Sequence, residues 1–319
     1  MSEIWQFEIT VPEELHLHRA DVVLAKLFSD YSRNQWIEWL RNGTIECEQL
    51  VLSPKHKLQF GQRIIGRVEV KQTHTFASPE DISLDIIFED NDLLIINKPV
   101  GLVVHPGAGQ PDHTLMNALL FHQQSLAQLP RAGIVHRLDK DTSGLMVIAK
   151  TCVTYQRLVD MMQKRQIHRR YIALVHGVMR ANGTVSTCYG RHPKNRLKMA
   201  VRPAGKIAIT HYSINKIFPQ NTLLDVELET GRTHQIRVHL SHIGHPIVGD
   251  PLYGKTRAPG NNKISEALNL FKRQALHAYQ LKFMHPVLQK PLTFEANLPD
   301  DFASLLLNIE NSSHEIFKT

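Results

Sequence analysis

Cysteine is scarce: Cys47, Cys152 and Cys188 are the three in 319 residues. They lie far apart and form no CxxC pair and no even-numbered framework. That argues against a disulfide scaffold and a cysteine-rich zinc site, and makes the reducing cytoplasm the expected compartment. No run approaches the roughly 18 consecutive apolar residues of a membrane span. The opening MSEIWQFEITVPEE is acidic and has no apolar core of the kind a signal peptide needs. Neither GxGxxG nor GxxxxGK[ST] occurs, so no phosphate-cradling loop is expected. Pro106-Gly107-Ala108-Gly109 is glycine-rich but lacks the Lys-Ser/Thr pair and reads as a turn. There is no internal repeat and no low-complexity tract. What remains is 42% hydrophobic and 21% charged, an ordinary globular composition with enough apolar material for a core. At roughly 100–200 residues per domain, the length points to two domains.

Acid is missing from one long stretch. Met161 to Leu224 holds 12 Lys and Arg and no Asp or Glu over 64 residues. The net charge of +7 conceals a gradient: residues 1–100 carry 10 basic and 16 acidic side chains, 101–224 carry 17 and 4, and 225–319 carry 10 and 10. A polyanion partner gives the simplest physical account, because Lys and Arg gain by displacing condensed counterions from phosphates. A solvated basic face with no ligand is the blander account.

The first part reads as a small helix-and-strand module. Asp21 to Phe28 suits a short helix. Ser32 is placed to cap a second, Arg33 to Leu40, which Asn42-Gly43 ends. Strands are expected at Thr44 to Cys47 and Arg63 to Val70, and a polar, proline-containing linker at Lys71 to Ser83. A larger unit begins near Leu84. LDIIFE and LLIIN flank Asp90-Asn91-Asp92 as a hairpin. Thr114 to Phe121 suits a helix, Gly144 to Ala149 a buried strand, and Val153 to Lys164 a helix. Further strands are expected at Tyr171 to Val175, Ala208 to Ile217, Leu223 to Leu228 and Ala278 to Phe283, with a closing helix at Ala303 to Ile309. Strands outnumber helices without regular alternation, which favours a mixed α+β domain over a doubly wound parallel sheet. The expected domains are 1–74 and 84–319.

Three charged stretches carry candidate chemistry. In GIVHRLDKDTSGLMVIAK, the loop His136 to Ser143 lies between two apolar runs read as strands, an arrangement that places charged groups on a rigid base. A plain charged turn fits the same residues. In GRTHQIRVH, Thr233 can open a helix and share a face with Arg237 at i, i+4. An arginine there can pair with a loop aspartate, keeping it ionised and lowering its pKa. A solvent-facing amphipathic helix fits too. In Arg169-Arg170-Tyr171, the tyrosine opens a strand and can stack on a base or be half-buried core.

HRLDKDTSGLMVIAK closely resembles the signature of the RluA/RluD family of pseudouridine synthases. The likeness continues in INKPVGLVVHPG (Ile96 to Gly107), RRYIALVHG (Arg169 to Gly177) and ETGRTHQIRVHLSHIGHPIVGDPLYG (Glu229 to Gly254), and spans roughly Leu84 to Pro299. The resemblance implies a pseudouridine synthase fold, a largely antiparallel mixed sheet, and isomerisation of uridine in RNA with no cofactor and no metal. It makes Asp139 the nucleophile, Arg237 its ion-pair partner, and Tyr171 the ring stacking on the uracil. Arg137 would fill the space of the flipped base, and Lys98 would support the site or touch phosphate. Attack on C1′, attack on C6 and elimination from the sugar are all compatible with the motif. The RluD branch is the nearest likeness, which implies 23S ribosomal RNA, at the helix 69 stem-loop, or the large subunit as partner, and a cytoplasmic enzyme. Arg191, Lys194, Arg196 and Lys198 are expected to grip the RNA backbone. The first unit resembles the alpha-L RNA-binding domain shared with ribosomal protein S-four, through Arg19-Ala20-Asp21, Ser32-Arg33 and Asn42-Gly43. It departs from that pattern at Glu46-Cys47-Glu48-Gln49. No long heptad seam is present, so a monomer is expected.

Two further signals compete. His234, His239, His242 and His245 cluster, and residues 239 and 242 could share a metal at i, i+3 on a helix. Asp139 and Asp141 also read as a DxD pair for Mg²⁺, the mark of a metal-dependent nuclease or glycosyltransferase. A ribosome-assembly protein with an inert pocket is the non-enzymatic alternative.

Overall fold

A computed structural model describes residues 2–28, 31, 33–71, 77–107, 109–195, 197–254 and 263–316. Ser32, Ala108 and Arg196 lie outside them. The chain divides into two compact units, Met1–Phe76 and Ala77–Thr319.

The first unit contains β1 (Ser2–Thr10), α1 (Ala20–Leu27), α2 (Arg33–Arg41), β2 (Ile45–Cys47), β3 (Leu50–Val51) and β4 (Arg63–Lys71). The strands form an antiparallel sheet in the order β1-β4-β2-β3. Sequence reading identified both helices but not β1, whose Trp5 and Phe7 join Phe28, Tyr31 and Trp36 in an aromatic cluster. The carboxylate of Asp21 is wholly buried and accepts from Arg19 at 3.0 Å and from Arg33 at 2.7 Å. Burial alone would raise its pKa, but the two guanidinium groups outweigh that and hold it below the usual carboxylate value.

The second unit contains β5 (Ile86–Glu89), β6 (Leu93–Lys98), α3 (Leu115–His122), β7 (Ser143–Ala149), α4 (Cys152–Gln163), β8 (His168–His176), β9 (Gly183–Arg191), β10 (Met199–Val201), β11 (Lys206–Ile217), β12 (Asn221–Leu228), α5 (Gln235–His242), α6 (Lys263–Leu270), β13 (Leu276–Met284), β14 (Pro291–Glu295) and α7 (Asp300–Ile316). The sheet runs β10-β9-β11-β12-β8-β13-β7-β6-β5, with β14 paired to β13. Every pairing is antiparallel except β13 with β7. The mixed, mainly antiparallel α+β class expected from the sequence is the one observed. One face of the sheet carries the main core, which takes in α3, α5, α6 and α7; the other packs Leu93, Ile95, Val147 and Phe283 with Leu158 of α4.

Two expectations need correction. Residues 77–83 are not linker: Ala77 is buried in the main core, and Asn117 of α3 donates to the Ser78 carbonyl while its own carbonyl accepts from the Glu80 amide. The run Gly133-Ile134-Val135 is not a strand. Ile134 makes a single bridge to Ile148, because the preceding turn holds Arg131 and Ala132 in left-handed backbone.

Candidate active site

The parallel pairing sets the site's geometry. Gly144 of β7 lies opposite Ala278 of β13, and Ala278 lies opposite Tyr171 of β8. Tyr171 therefore occupies the same rung as the start of β7, and the loop bearing Asp139 leads directly into that strand. The loop is braced from within: the Thr142 amide donates to the Asp139 carbonyl at 3.1 Å, and the Gly101 amide to the Lys140 carbonyl at 2.9 Å.

Arg237 reaches the loop from α5. That helix starts at Gln235, not at Thr233, because His234 adopts a left-handed conformation at φ 58°. Gln235 organises the turn: its carbonyl oxygen accepts from Thr230 and the Arg232 amide, while its amide donates to Ile209 and Thr210. Arg237 then spans two carboxylates. Its Nη1 donates to Asp139 Oδ2 at 2.8 Å, and its Nε and Nη2 donate to Asp250 at 2.7 and 2.8 Å. The arginine is 4% exposed, the Asp250 side chain 0% and that of Asp139 14%, so only one of the two carboxylates reaches solvent.

Burial alone would weaken the charge on Arg237, but Asp250 first and Asp139 second raise its pKa and fix the cation. Asp250 is held below the usual carboxylate value: burial opposes this, but Arg237 and the amides of Tyr253 and Leu252 prevail. Asp139 Oδ1 has no hydrogen bond among the described residues. His234 Nε2 lies 3.7 Å from it, and burial keeps that imidazole's pKa low despite the nearby carboxylate. The result is one carboxylate oxygen without a hydrogen bond among the described residues, on a side chain aimed by a bidentate-anchored arginine.

Tyr171 is buried, retaining 5% of its surface, and burial raises its phenol pKa. The charge of Asp139 acts on it in the same direction, while Arg169 opposes. Arg137 is exposed, and its charge is felt by His105 and His234. Of the two roles expected for Lys98, its burial favours support of the site over contact with phosphate: its ammonium donates to the carbonyls of Pro99, Leu102 and Lys140 at 2.7, 2.9 and 3.0 Å. It ties the end of β6 to the Asp139 loop, and burial lowers its pKa to about 7 against the opposing charges of Asp141 and Asp139.

Arg191, the last residue of β9, and Lys194, in the segment joining β9 to β10, are exposed; the turn of that segment is held by His192 Nδ1 accepting from the Lys194 and Asn195 amides. Lys198 is half-buried, its Nζ 5.8 Å from the centre of the Tyr253 ring. Arg196 falls outside the described residues. The acid-free stretch is not uniformly unpaired: Arg165 meets Glu229, and Lys216 meets Glu310 at 2.7 Å.

Among the described residues, the clustered histidines belong to no group of three potential metal ligands. His239 is buried with Thr210 and Thr187 at its two ring nitrogens, and burial lowers its pKa to about 4. Asp139 and Asp141 belong to no group of three potential ligands among the described residues. The group that does occur, Asp90, Asp92 and His285, lies at the β5–β6 turn, where Asp90 accepts from the amides of Asp92 and Leu93 and from His285.

Sequence reasoning missed Asp250 and Tyr253, although both lie in the quoted GDPLYG run. Tyr253 accepts from the Met199 amide at 2.7 Å, bonds His234 Nδ1 at 2.9 Å and has its ring 5.2 Å from the Arg237 guanidinium. It thus joins the β9–β10 segment to the arginine that holds Asp139.

The sequence pattern of the family described as RNA pseudouridylate synthase matches residues 92–242, which include Asp139, Tyr171 and Arg237. A "Ribosomal large subunit pseudouridine synthase D" of Xanthomonas campestris pv. campestris is 46% identical over 309 residues, covering 96% of this chain and 93% of that protein. The chain belongs to the RNA pseudouridylate synthase family. The protein of the same description from Escherichia coli K12 is 47% identical over 310 residues, with 96% and 95% covered. The solved structure of human RNA Pseudouridylate Synthase Domain Containing 4 aligns with a TM-score of 0.55 at 25% identity, over 70% of this chain and 92% of that one. The second unit therefore has the pseudouridine synthase fold. Among the described residues, no helix is long and apolar enough to cross a membrane.

Proposed function

We propose that this pseudouridine synthase acts on large-subunit ribosomal RNA, at the helix 69 stem-loop of 23S RNA, in the cytoplasm, with Asp139 as its nucleophile. The observation that carries the reading is the Arg237 fork. It holds one oxygen of Asp139 at 2.8 Å, and the other oxygen has no hydrogen-bond partner among the described residues. A carboxylate so directed suits covalent attack on an extruded nucleotide, since carboxylates are effective nucleophiles at glycosidic centres. The isomerisation is internally balanced. The bond from N1 to C1′ breaks, uracil turns, C5 bonds to C1′, and the C5 proton is lost while N1 gains one.

Tyr171 packs against the base, and Arg137, exposed at the rim, fills the space that the base vacates. Flipping costs a few kcal/mol, which such an insertion partly offsets. Arg191, Lys194 and Lys198 bind phosphates beside the site. The first unit acts as an alpha-L RNA-binding domain. The names of the two bacterial relatives support the large-subunit target. Incubating transcribed 23S RNA with the protein alone, then mapping pseudouridine with carbodiimide, tests the reading. Wild type modifies helix 69. Asp139→Asn gives no product while its RNA dissociation constant stays within about threefold, as expected for loss of a group acting on the reacting atoms rather than on phosphates. Undiminished product from Asp139→Asn defeats the assignment.

A further inference from the structure

Arg169, on β8 two residues before Tyr171, takes no part in the Arg237 network. It retains 6% of its surface, and its Nε is buried without a hydrogen-bond partner. Among the described residues its side chain has neither an ion pair nor a hydrogen bond. A buried guanidinium nitrogen with no acceptor is costly, because its desolvation is uncompensated.

One of its neighbours, His136, presents a donor rather than an acceptor. The neighbouring His136 accepts from the Val147 amide through Nε2 at 3.1 Å, which places the proton of the neutral ring on Nδ1. That Nδ1 is also buried without a partner. Burial first, and the charge of Arg169 second, push the His136 pKa down to about 3, so the ring adds no second cation. Arg169 and Tyr171 share a face of β8, and Tyr171 feels the charges of both Arg169 and Asp139. The guanidinium also lies against Gly231, where a Cβ would sit 2.6 Å from its Nη1. The β8 strand, the Asp139 loop and the turn before α5 thus surround a cation whose acceptor is not supplied by the described residues.

We propose that Arg169 is a further catalytic residue, donating to a carbonyl oxygen of the extruded uracil and stabilising the negative charge the base acquires during the reaction. The inference rests on the pseudouridine-forming reading of the site. When the bond from N1 to C1′ breaks, its electron pair remains on the base and spreads to the carbonyl oxygens. If Asp139 instead adds to C6, the enolate places the charge on the carbonyl oxygen at C4. By either route a uracil oxygen becomes more negative than in the bound substrate, and a preorganised buried cation favours that change. A phosphate fits less well. The RNA backbone stays at the rim, where Arg137 and Lys194 are exposed, whereas Arg169 lies buried beside the ring proposed to pack against the base.

The test uses the full chain and a transcribed helix 69 stem-loop, measuring single-turnover rate, RNA affinity and melting temperature for wild type, Arg169→Met and Arg169→Lys. Arg169→Met is expected to slow turnover at saturating enzyme by about 100-fold, with affinity within about threefold of wild type. Its melting temperature should be equal or higher, because an unpaired buried charge has been removed. Arg169→Lys should recover about a tenth or more of the wild-type rate, since charge but not fork geometry is kept. Wild-type turnover in Arg169→Met overturns the proposal. So does a loss expressed in affinity and salt slope, which would mark a phosphate ligand, or a variant that melts lower or fails to fold, which would mark a structural arginine. An inactive wild type would instead overturn the underlying reading, and the proposal with it.

Discussion

At the scale of single residues, the site depends on how one guanidinium is shared. Arg237 holds buried Asp250 with two nitrogens and the accessible Asp139 with a third, so Asp250 neutralises and orients the cation while Asp139 keeps one oxygen free. Replacing Asp250 by Asn leaves Arg237 half-paired in a buried position. Breaking a buried pair costs about 3–5 kcal/mol, so Asp250→Asn should melt well below wild type. Its turnover should fall by about 10- to 100-fold through misorientation of Asp139, with RNA affinity little changed, as is found when a group that orients a functional residue is removed. Paired thermal denaturation and single-turnover assays check this. Lys98 acts by a different mechanism, through three backbone carbonyls. Lys98→Met should destabilise by about 1–3 kcal/mol through buried acceptors left without a donor, and denaturant titration reads that directly.

At the scale of elements, the β9–β10 segment and α5 are coupled through Tyr253. Its ring lies beside both Lys198 and Arg237, and its hydroxyl takes the Met199 amide. The segment proposed to grip RNA is thereby tied to the arginine that holds Asp139. The joint variant Lys194→Ala, Lys198→Ala should weaken RNA binding across sequences and flatten the salt dependence of log affinity by about 0.7–0.9 for each phosphate no longer neutralised. Turnover at saturating RNA should hold. Filter binding across a salt series distinguishes this from an unliganded basic face, for which neither affinity nor slope would move.

At the scale of the whole molecule, several buried and half-buried imidazoles are kept neutral. Burial lowers the pKa of His105, His239 and His277 to about 4 and that of His136 to about 3. Unfolded histidine titrates near 6.5, so between that value and about 4 the unfolded chain binds more protons than the folded one. The contribution of these rings to stability is therefore complete above about pH 6.5 and declines as the pH falls through that window. The lowered carboxylates Asp21 and Asp250 add to the loss only at still lower pH. Melting temperatures across pH 7 to 4 should fall progressively, and an unchanged melting temperature would contradict the lowered pKa of these rings.

Much of this was legible in the chain, and the failures share a cause. The β-branched and aliphatic runs of β6, β7, β8 and β12 declare themselves because both faces of a central strand are buried. β9 was missed because GTVSTCYGR is polar and lies toward the sheet edge, where propensity is weak evidence. β1 was missed although Trp5, Phe7 and Ile9 alternate with polar residues. Thr233 has capping chemistry, yet the left-handed turn at His234 shifts the helix start past it. Asp139, Tyr171 and Arg237 could be named from ordered motifs, because motif order and residue type are properties of the chain itself. The resemblance also implied the pairing of Arg237 with Asp139, 98 residues away, and a supporting role for Lys98. It did not single out Asp250, the second carboxylate on Arg237, or the three carbonyls that Lys98 holds, and Arg169 looks like any other member of a basic run. Residue type and motif order are written along the backbone, so the sequence by itself determined the reaction class and pointed to Asp139 as the candidate nucleophile. Coulomb energy and desolvation depend on distance and exposure in space, so only the closed tertiary structure decided which charges meet and which is left waiting for a ligand.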